Sequence, residues 1–205
     1  MSARHPAPPE LQPKTFAFTA ENEAEARKII AKYPAGRQQS AVMPLLDLAQ
    51  RQNANWLPLA AIQYVADLLS MPYIRAFEVA TFYTMYNLEP VGTHFVQVCT
   101  TTPCWLRGSD AVVSACKKTL GIGFGETTAD GKFTLVEVEC LGACVNAPML
   151  QINDDFYEDL DEANTVKLLE ALRRGEKPKA GSQIGRASSE PKGGPTTLTS
   201  VGAGE

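Results

Sequence analysis

Four cysteines in two close pairs constrain this chain more than any other feature. Cys99 and Cys104 bracket Thr100, Thr101, Thr102 and Pro103, while Cys140 and Cys144 bracket Leu141, Gly142 and Ala143. Each pair follows a short run with strand-like alternation, HFVQV before the first and LVEVE before the second. Four thiolates, two on each iron, are what a [2Fe–2S] cluster requires. The spacing therefore predicts that the two loops meet in space and hold one such cluster. The simplest assignment puts Cys99 and Cys104 on one iron and Cys140 and Cys144 on the other.

Short loops suit this chemistry because backbone N–H groups can point at sulfur and tune its potential. The three threonines of the first loop bring hydroxyl donors, and Gly142 permits the close backbone approach that a side chain would block. Trp105, Leu106, Leu141 and Val145 are expected to shield the site from water. Zinc stays open as a rival, since the first pair alone passes as a structural zinc half-site. The other metal and redox readings fare worse. A Rieske centre needs two histidine ligands, and the two histidines here are His5, in the proline-rich N-terminus, and His94. Plant-type ferredoxin spacing would need a cysteine where Arg107 stands, and neither pair is the C-x-x-C of a dithiol oxidoreductase. The fifth cysteine, Cys116, shares a helical stripe with Val113 and Leu120 and reads as a buried core thiol.

Around these loops the pattern predicts an α+β chain. Residues 1–20 read as an extended arm. Residues 21–88 read as a helical bundle, with helices over Glu21–Lys32, from Ser40–Pro44 onward, from Pro58, and from Met71-Pro72 through about Leu88. Val42, Leu45, Leu46 and Ala49 share one face of the second helix, and Ile62, Val65, Ala66 and Leu69 one face of the third. In the fourth, Val79, Phe82, Tyr83 and Tyr86 form an aromatic stripe, for which core packing is the default and docking the alternative. Composition changes at Glu89-Pro90-Val91-Gly92. Residues 89–175 then run strand, first cysteine loop, helix (Ser109–Leu120), strand (Lys132–Glu139), second cysteine loop, strand (Met149–Asn153) and helix (Asp161–Arg174). That β-α-β-β-α order is half of a thioredoxin-like domain. Residues 176–205, rich in Gly, Ser, Thr and Pro, are expected to form a disordered tail.

Charge and hydropathy exclude several function classes. Net charge is −4 and no basic run exceeds two residues, so a nucleic-acid footprint is not expected. No apolar run is long enough to cross a bilayer, so direct membrane insertion is not expected. The opening MSARHPAPPELQP lacks the apolar segment of a secretory signal and the amphipathic pattern of a mitochondrial presequence. Gly121-Ile122-Gly123-Phe124-Gly125 follows a helix rather than opening one, which argues against flavin or nicotinamide binding by this chain.

VQVCTTTPCWLRGSD (96–110) with VECLGACVNAPMLQIN (138–153) resembles the small [2Fe–2S] subunit of NADH:quinone oxidoreductase, respiratory complex I. That is the bacterial E subunit, or the 24-kDa subunit of mitochondria. VATFYTMYNL (79–88) and FYEDLDEANTVKLLEAL (156–172) extend the likeness to roughly residues 15–175. The resemblance implies a thioredoxin-like ferredoxin domain behind an N-terminal helical bundle, with Cys99, Cys104, Cys140 and Cys144 as ligands of one cluster. It implies a flavoprotein partner that carries FMN and NADH, other peripheral-arm subunits nearby, and an electron store beside the flavin. It also implies a cytoplasmic location, peripheral on the inner face of a bacterial membrane, with the mitochondrial matrix second. Related subunits of NAD-linked hydrogenases and formate dehydrogenases are the alternative within this class. A zinc-stapled interaction module is the alternative outside it.

Overall fold

The computed structural model describes residues 5–194 and 196–197. It divides into two units, Met1–Val91 and Gly92–Glu205, at the composition change around Pro90.

The first unit packs four helices: α1 (Ala20–Ala31), α2 (Val42–Gln52), α3 (Leu59–Leu68) and α4 (Tyr73–Phe82). Thr19 caps α1 by accepting the Asn22 N–H at 3.2 Å, and Glu21 and Glu23 in the first turn suit the helix dipole. Leu45 and Leu46 of α2 and Ile62 and Val65 of α3 are fully buried in one core, each contributing about 1.5–3 kcal/mol. The arm lies on this bundle: the Ala7 N–H donates to the Leu88 carbonyl, and Phe16 and Phe18 pack edge-on against Tyr64.

Helix α4 ends at Phe82, short of the expected Leu88. Tyr83 turns extended, and the following backbone finds partners that a helix would have denied it. Gln50 accepts the Asn87 N–H at 2.7 Å and donates to the Met85 carbonyl, while Leu57 N–H donates to the Asn87 carbonyl. This exit splits the aromatic stripe. Tyr86 sinks into the core and donates its hydroxyl to the Met43 carbonyl, whereas Phe82 stays 77% exposed.

The second unit is a six-stranded sheet flanked by helices. In chain order it comprises β1 (His94–Cys99), α5 (Thr102–Leu106), α6 (Ser109–Leu120), β2 (Glu126–Thr127), β3 (Phe133–Val138), β4 (Leu150–Ile152), β5 (Asp155–Glu158), α7 (Glu162–Arg173) and β6 (Gly181–Ser182). The sheet order is β2-β3-β1-β4-β5-β6. β1 is central, parallel to β3 and antiparallel to β4. Val96, Val98, Leu135, Leu150 and Ile152 cluster with Val112 and Cys116 of α6 and Leu168 and Leu169 of α7. Gly121 closes α6 in the left-handed region, and Asp161 caps α7 by accepting the Asn164 N–H at 2.7 Å. The mixed α+β architecture is the expected one, with β2, β5, β6 and the short α5 added to it.

The expected disordered tail needs correction. Residues 176–194 lie along the second unit: β6 pairs parallel with β5, and Gln183 N–H donates to the Glu158 carbonyl at 2.9 Å. Composition misled because it counts apolar side chains, and the ordering here comes from a buried ion pair, Arg186 with Asp159. The expectation for residues 195 and 198–205 lies outside the described residues.

Candidate metal centre

The first cysteine loop is built from regular structure at both ends. Cys99 is the last residue of β1, and Cys104 sits inside α5, so strand pairing and a helical turn fix both Cα positions. Pro103 lies in the first turn of α5, where its missing N–H costs nothing. Both thiols are almost entirely buried, Cys99 at 2% and Cys104 at 1% exposure. They pack with Ala147 and Met149, and Leu141, Ala143 and Phe156 lie against them.

Hydrogen bonds then separate the two thiols electrically. Burial opposes a thiolate at Cys99. The Thr101 hydroxyl, 3.2 Å from its sulfur, the Thr101 N–H, the Cys104 thiol and the Leu141 N–H outweigh it and hold Cys99 below the usual cysteine range. Burial pushes the Cys104 thiol up to about 12, helped by the neighbouring Cys99 and opposed by the Met149 N–H. One negative charge is thus favoured over two, and a bound metal would displace the remaining proton.

The second loop is more open. Cys140 is exposed and Cys144 half-buried, with their sulfurs 3.3 Å apart. The hydrogen bond to Cys140, with some burial, raises the Cys144 thiol. Gly142 between them has φ +90° and open space where a Cβ would sit. A side chain would fit that space but not the backbone, so glycine is needed for its conformation alone. A 3-10 turn over Cys144–Asn146 leads out of the loop.

The structure brings the two loops together by packing, with Leu141 and Ala143 of the second loop lying against the buried Cys99 and Cys104. Cys104 also feels the charge of Cys144. Among the described residues no three Cys, His, Asp or Glu side chains gather tightly enough to hold a single ion; the sulfurs form pairs. All four donors are thiols, with no imidazole or carboxylate among them, which suits a cluster taking two thiolates per iron.

The remaining sequence candidates fall elsewhere. Cys116 is fully buried beneath the sheet, where burial pushes its thiol to about 12. His94 packs on Phe133 with ring centroids 4.9 Å apart, and burial lowers its pKa. Of the three threonines, Thr101 serves the cysteine sulfur, whereas Thr100 donates to Glu137 at 2.7 Å. Leu141 packs against the buried pair as expected. Trp105, Leu106 and Val145 do not shield it within this chain and stand exposed instead. They fall on loop or helix positions that face away from the thiols' packing partners, which apolarity alone does not reveal. Sequence reasoning missed α5, and it missed Arg186 and Asn146 at the second loop; in the sequence the only cue was an arginine within a tail of small residues.

A family model described as thioredoxin-like [2Fe–2S] ferredoxin matches residues 26–173. The E subunit of NADH-quinone oxidoreductase from Rickettsia typhi is 64% identical over 156 residues, covering 76% of this chain and 92% of that protein. NADH dehydrogenase [ubiquinone] flavoprotein 2, mitochondrial, of Dictyostelium discoideum is 56% identical over 183 residues, covering 89% of this chain and 74% of that protein. An NAD+-reducing [NiFe]-hydrogenase structure superposes with a TM-score of 0.55 at 23% identity, covering 64% of this chain and 23% of that one. At that identity it speaks for the fold alone.

Proposed function

Because the chain belongs to the thioredoxin-like [2Fe–2S] ferredoxin family, we propose that it is the electron-transfer subunit of an NADH:quinone oxidoreductase. It holds one [2Fe–2S] cluster, ligated by Cys99 and Cys104 on one iron and Cys140 and Cys144 on the other. The observation that carries this reading is the contact between the loops, where Leu141 and Ala143 pack against the buried Cys99 and Cys104.

The cluster, when bound, supplies a one-electron carrier whose negative charge grows on reduction. The protein's own groups position and tune it. The Thr101 hydroxyl donates to Cys99, and the nearby Leu141 and Met149 backbones favour the charged forms of Cys99 and Cys104 respectively. Each donor favours the more negative state and so raises the potential. Burial of the first pair excludes water and works in the opposite sense, since it penalises added charge. Hydride chemistry would belong to a partner flavoprotein that carries FMN and NADH, and a cluster held by Cys99, Cys104, Cys140 and Cys144 would supply a one-electron carrier for it.

No helix among the described residues is long and apolar enough to cross a membrane. The proposed place for the chain is beside that partner and neighbouring peripheral-arm subunits, on the cytoplasmic face.

Anaerobic purification of the full chain tests the reading. The expected product is red-brown, with iron and acid-labile sulfide at about two each per chain, and dithionite gives an S = 1/2 EPR signal. A colourless protein containing only zinc would overturn it in favour of a stapled interaction module. Co-purification with hydrogenase or formate dehydrogenase subunits would move it to those relatives.

A further inference from the structure

Between Pro178 and Glu190 the chain crosses back over the second cysteine loop, and the contacts converge on that loop. Arg186 is the hub: its side chain is 7% exposed, and that of its partner Asp159 is 4% exposed. Both guanidinium edges are used. Nε donates to Asp159 Oδ2 at 3.1 Å, and Nη2 donates to Asp159 Oδ1. The same Nη2 donates to the Val145 carbonyl at 3.1 Å, and Nη1 to the Glu190 carbonyl at 3.0 Å. Ser182 completes the junction by donating to Asp159 Oδ2 at 2.7 Å and accepting the Arg186 N–H.

Asn146 forms the second tether. Its Nδ2 donates to Glu158 Oε2 at 2.6 Å and to the Ser188 carbonyl at 2.7 Å, and its own carbonyl accepts the Asp159 N–H at 2.7 Å. This orientation is kept although Asn146 Oδ1 is left buried without a hydrogen-bond partner. Val145 and Asn146 directly follow Cys144, so both tethers act within two residues of a thiol. A cleft of about 560 Å3 remains between the loop and the crossing segment. The contact is thus a few directed bonds rather than continuous packing.

We propose that residues 178–190 form a strap that holds the second cysteine loop in its ligating shape, with Arg186 as a positioning residue acting through the Val145 carbonyl. The proposal rests on Cys140 and Cys144 being cluster ligands. Its physical ground is that the second loop has little else: its thiols are exposed or half-buried, and no strand or α-helix runs through it. Arginine is required because one planar fork must reach a carboxylate and two carbonyls at once, which a lysine ammonium cannot span.

The test compares full-length protein with the double variant Arg186→Met/Asp159→Asn, which cuts the strap without stranding a buried charge, and with Arg186→Lys. Amide hydrogen exchange on the cluster-free chain reports the loop itself. Residues 143–147 are expected to exchange about tenfold faster in the double variant, while 95–99 and 102–106 keep their protection. On the loaded protein, the visible absorption is expected to bleach about tenfold faster in chelator and the EPR g-values to shift. Arg186→Lys is expected to restore neither.

If the double variant does not fold, the chain ended after Lys177 takes its place, because it removes the strap and leaves Asp159 open to water. Unchanged exchange at 143–147 overturns the proposal. So does equal loosening of both cysteine loops, or unfolding of both variants, since the strap would then be part of the domain core. A chain that assembles no [2Fe–2S] cluster at all while the exchange difference persists overturns the ligand reading and leaves the strap standing.

Discussion

In the proposed cluster site the two cysteine loops would share one job with opposite engineering. Cys99 and Cys104 are fixed by a central strand and a helical turn and are buried against Ala147 and Met149. Cys140 and Cys144 sit on an exposed loop that is shaped by a left-handed glycine and tied down by groups distant in sequence. The first pair draws its geometry from the hydrophobic core, which makes Cys104 hard to charge while hydrogen bonds hold Cys99 low. The second pair keeps its thiols accessible and depends on polar tethers for shape. Paired this way, a rigid half provides a template and an open half provides access.

The largest effects should come from the ligands themselves. Cys104→Ala and Cys140→Ala are both expected to abolish the cluster, read as loss of iron, sulfide and EPR signal. The comparison predicts that they part company in the cluster-free protein. Removing the buried Cys104 sulfur should cost about 1–2 kcal/mol in urea unfolding, whereas Cys140→Ala should leave the midpoint unchanged. Equal stability losses would break the distinction between the loops. Cys116→Ala should leave the EPR spectrum as it was.

Arg186→Met alone should cost about 3–5 kcal/mol, because it leaves the Asp159 carboxylate buried and unpaired. The corresponding Asp159→Asn/Arg186→Met pair should recover most of that stability without recovering the loop. Urea denaturation of the three proteins measures both statements.

Alkaline pH should act most strongly on the core side. The thiols of Cys104 and Cys116 are raised from 9.0 to about 12 in the folded chain. Between those values the folded state holds protons that the unfolded state has lost. Stability from these two thiols is therefore full below pH 9 and falls as pH rises toward 12, by at most about 1.4 kcal/mol per unit for each. Cys99, held low by its hydrogen bonds, has the opposite sign and is already ionised there. Urea midpoints of the cluster-free chain between pH 8 and 11 should fall, and Cys116→Ala should flatten the slope. A rising midpoint would sink this account of the buried pair.

The smallest effect is a tuning one. Thr101→Val removes the hydroxyl beside Cys99 while keeping its shape. It should lower the potential by about 40 mV, the one-electron equivalent of about 1 kcal/mol. Potentiometric EPR titration checks the sign, and an increase would show that the hydroxyl opposes reduction.

How much of this was legible in the sequence differs between the loops as well. The strands around Cys99 were readable from alternation, and Ser109–Leu120 from its stripe, because local periodicity dictates both. The helix through Cys104 was hidden by three threonines and a proline, residues that argue for a loop until Pro103 is placed at the start of a turn. α4 looked longer than it is because Tyr86 and Leu88 stay apolar and buried after the helix has ended. The partners that draw the backbone out of the helix, the Gln50 side chain and the Leu57 N–H, are remote in sequence. The strap was illegible for the same reason: Arg186 and Asp159 become partners through folding, and no local pattern links them.

The order of strands also fixes how this chain can meet others. The sheet ends in two-residue strands on both sides, Glu126–Thr127 and Gly181–Ser182. A ladder that short offers a visiting strand almost no backbone hydrogen bonds. Extension of the sheet by a neighbour is disfavoured at both edges.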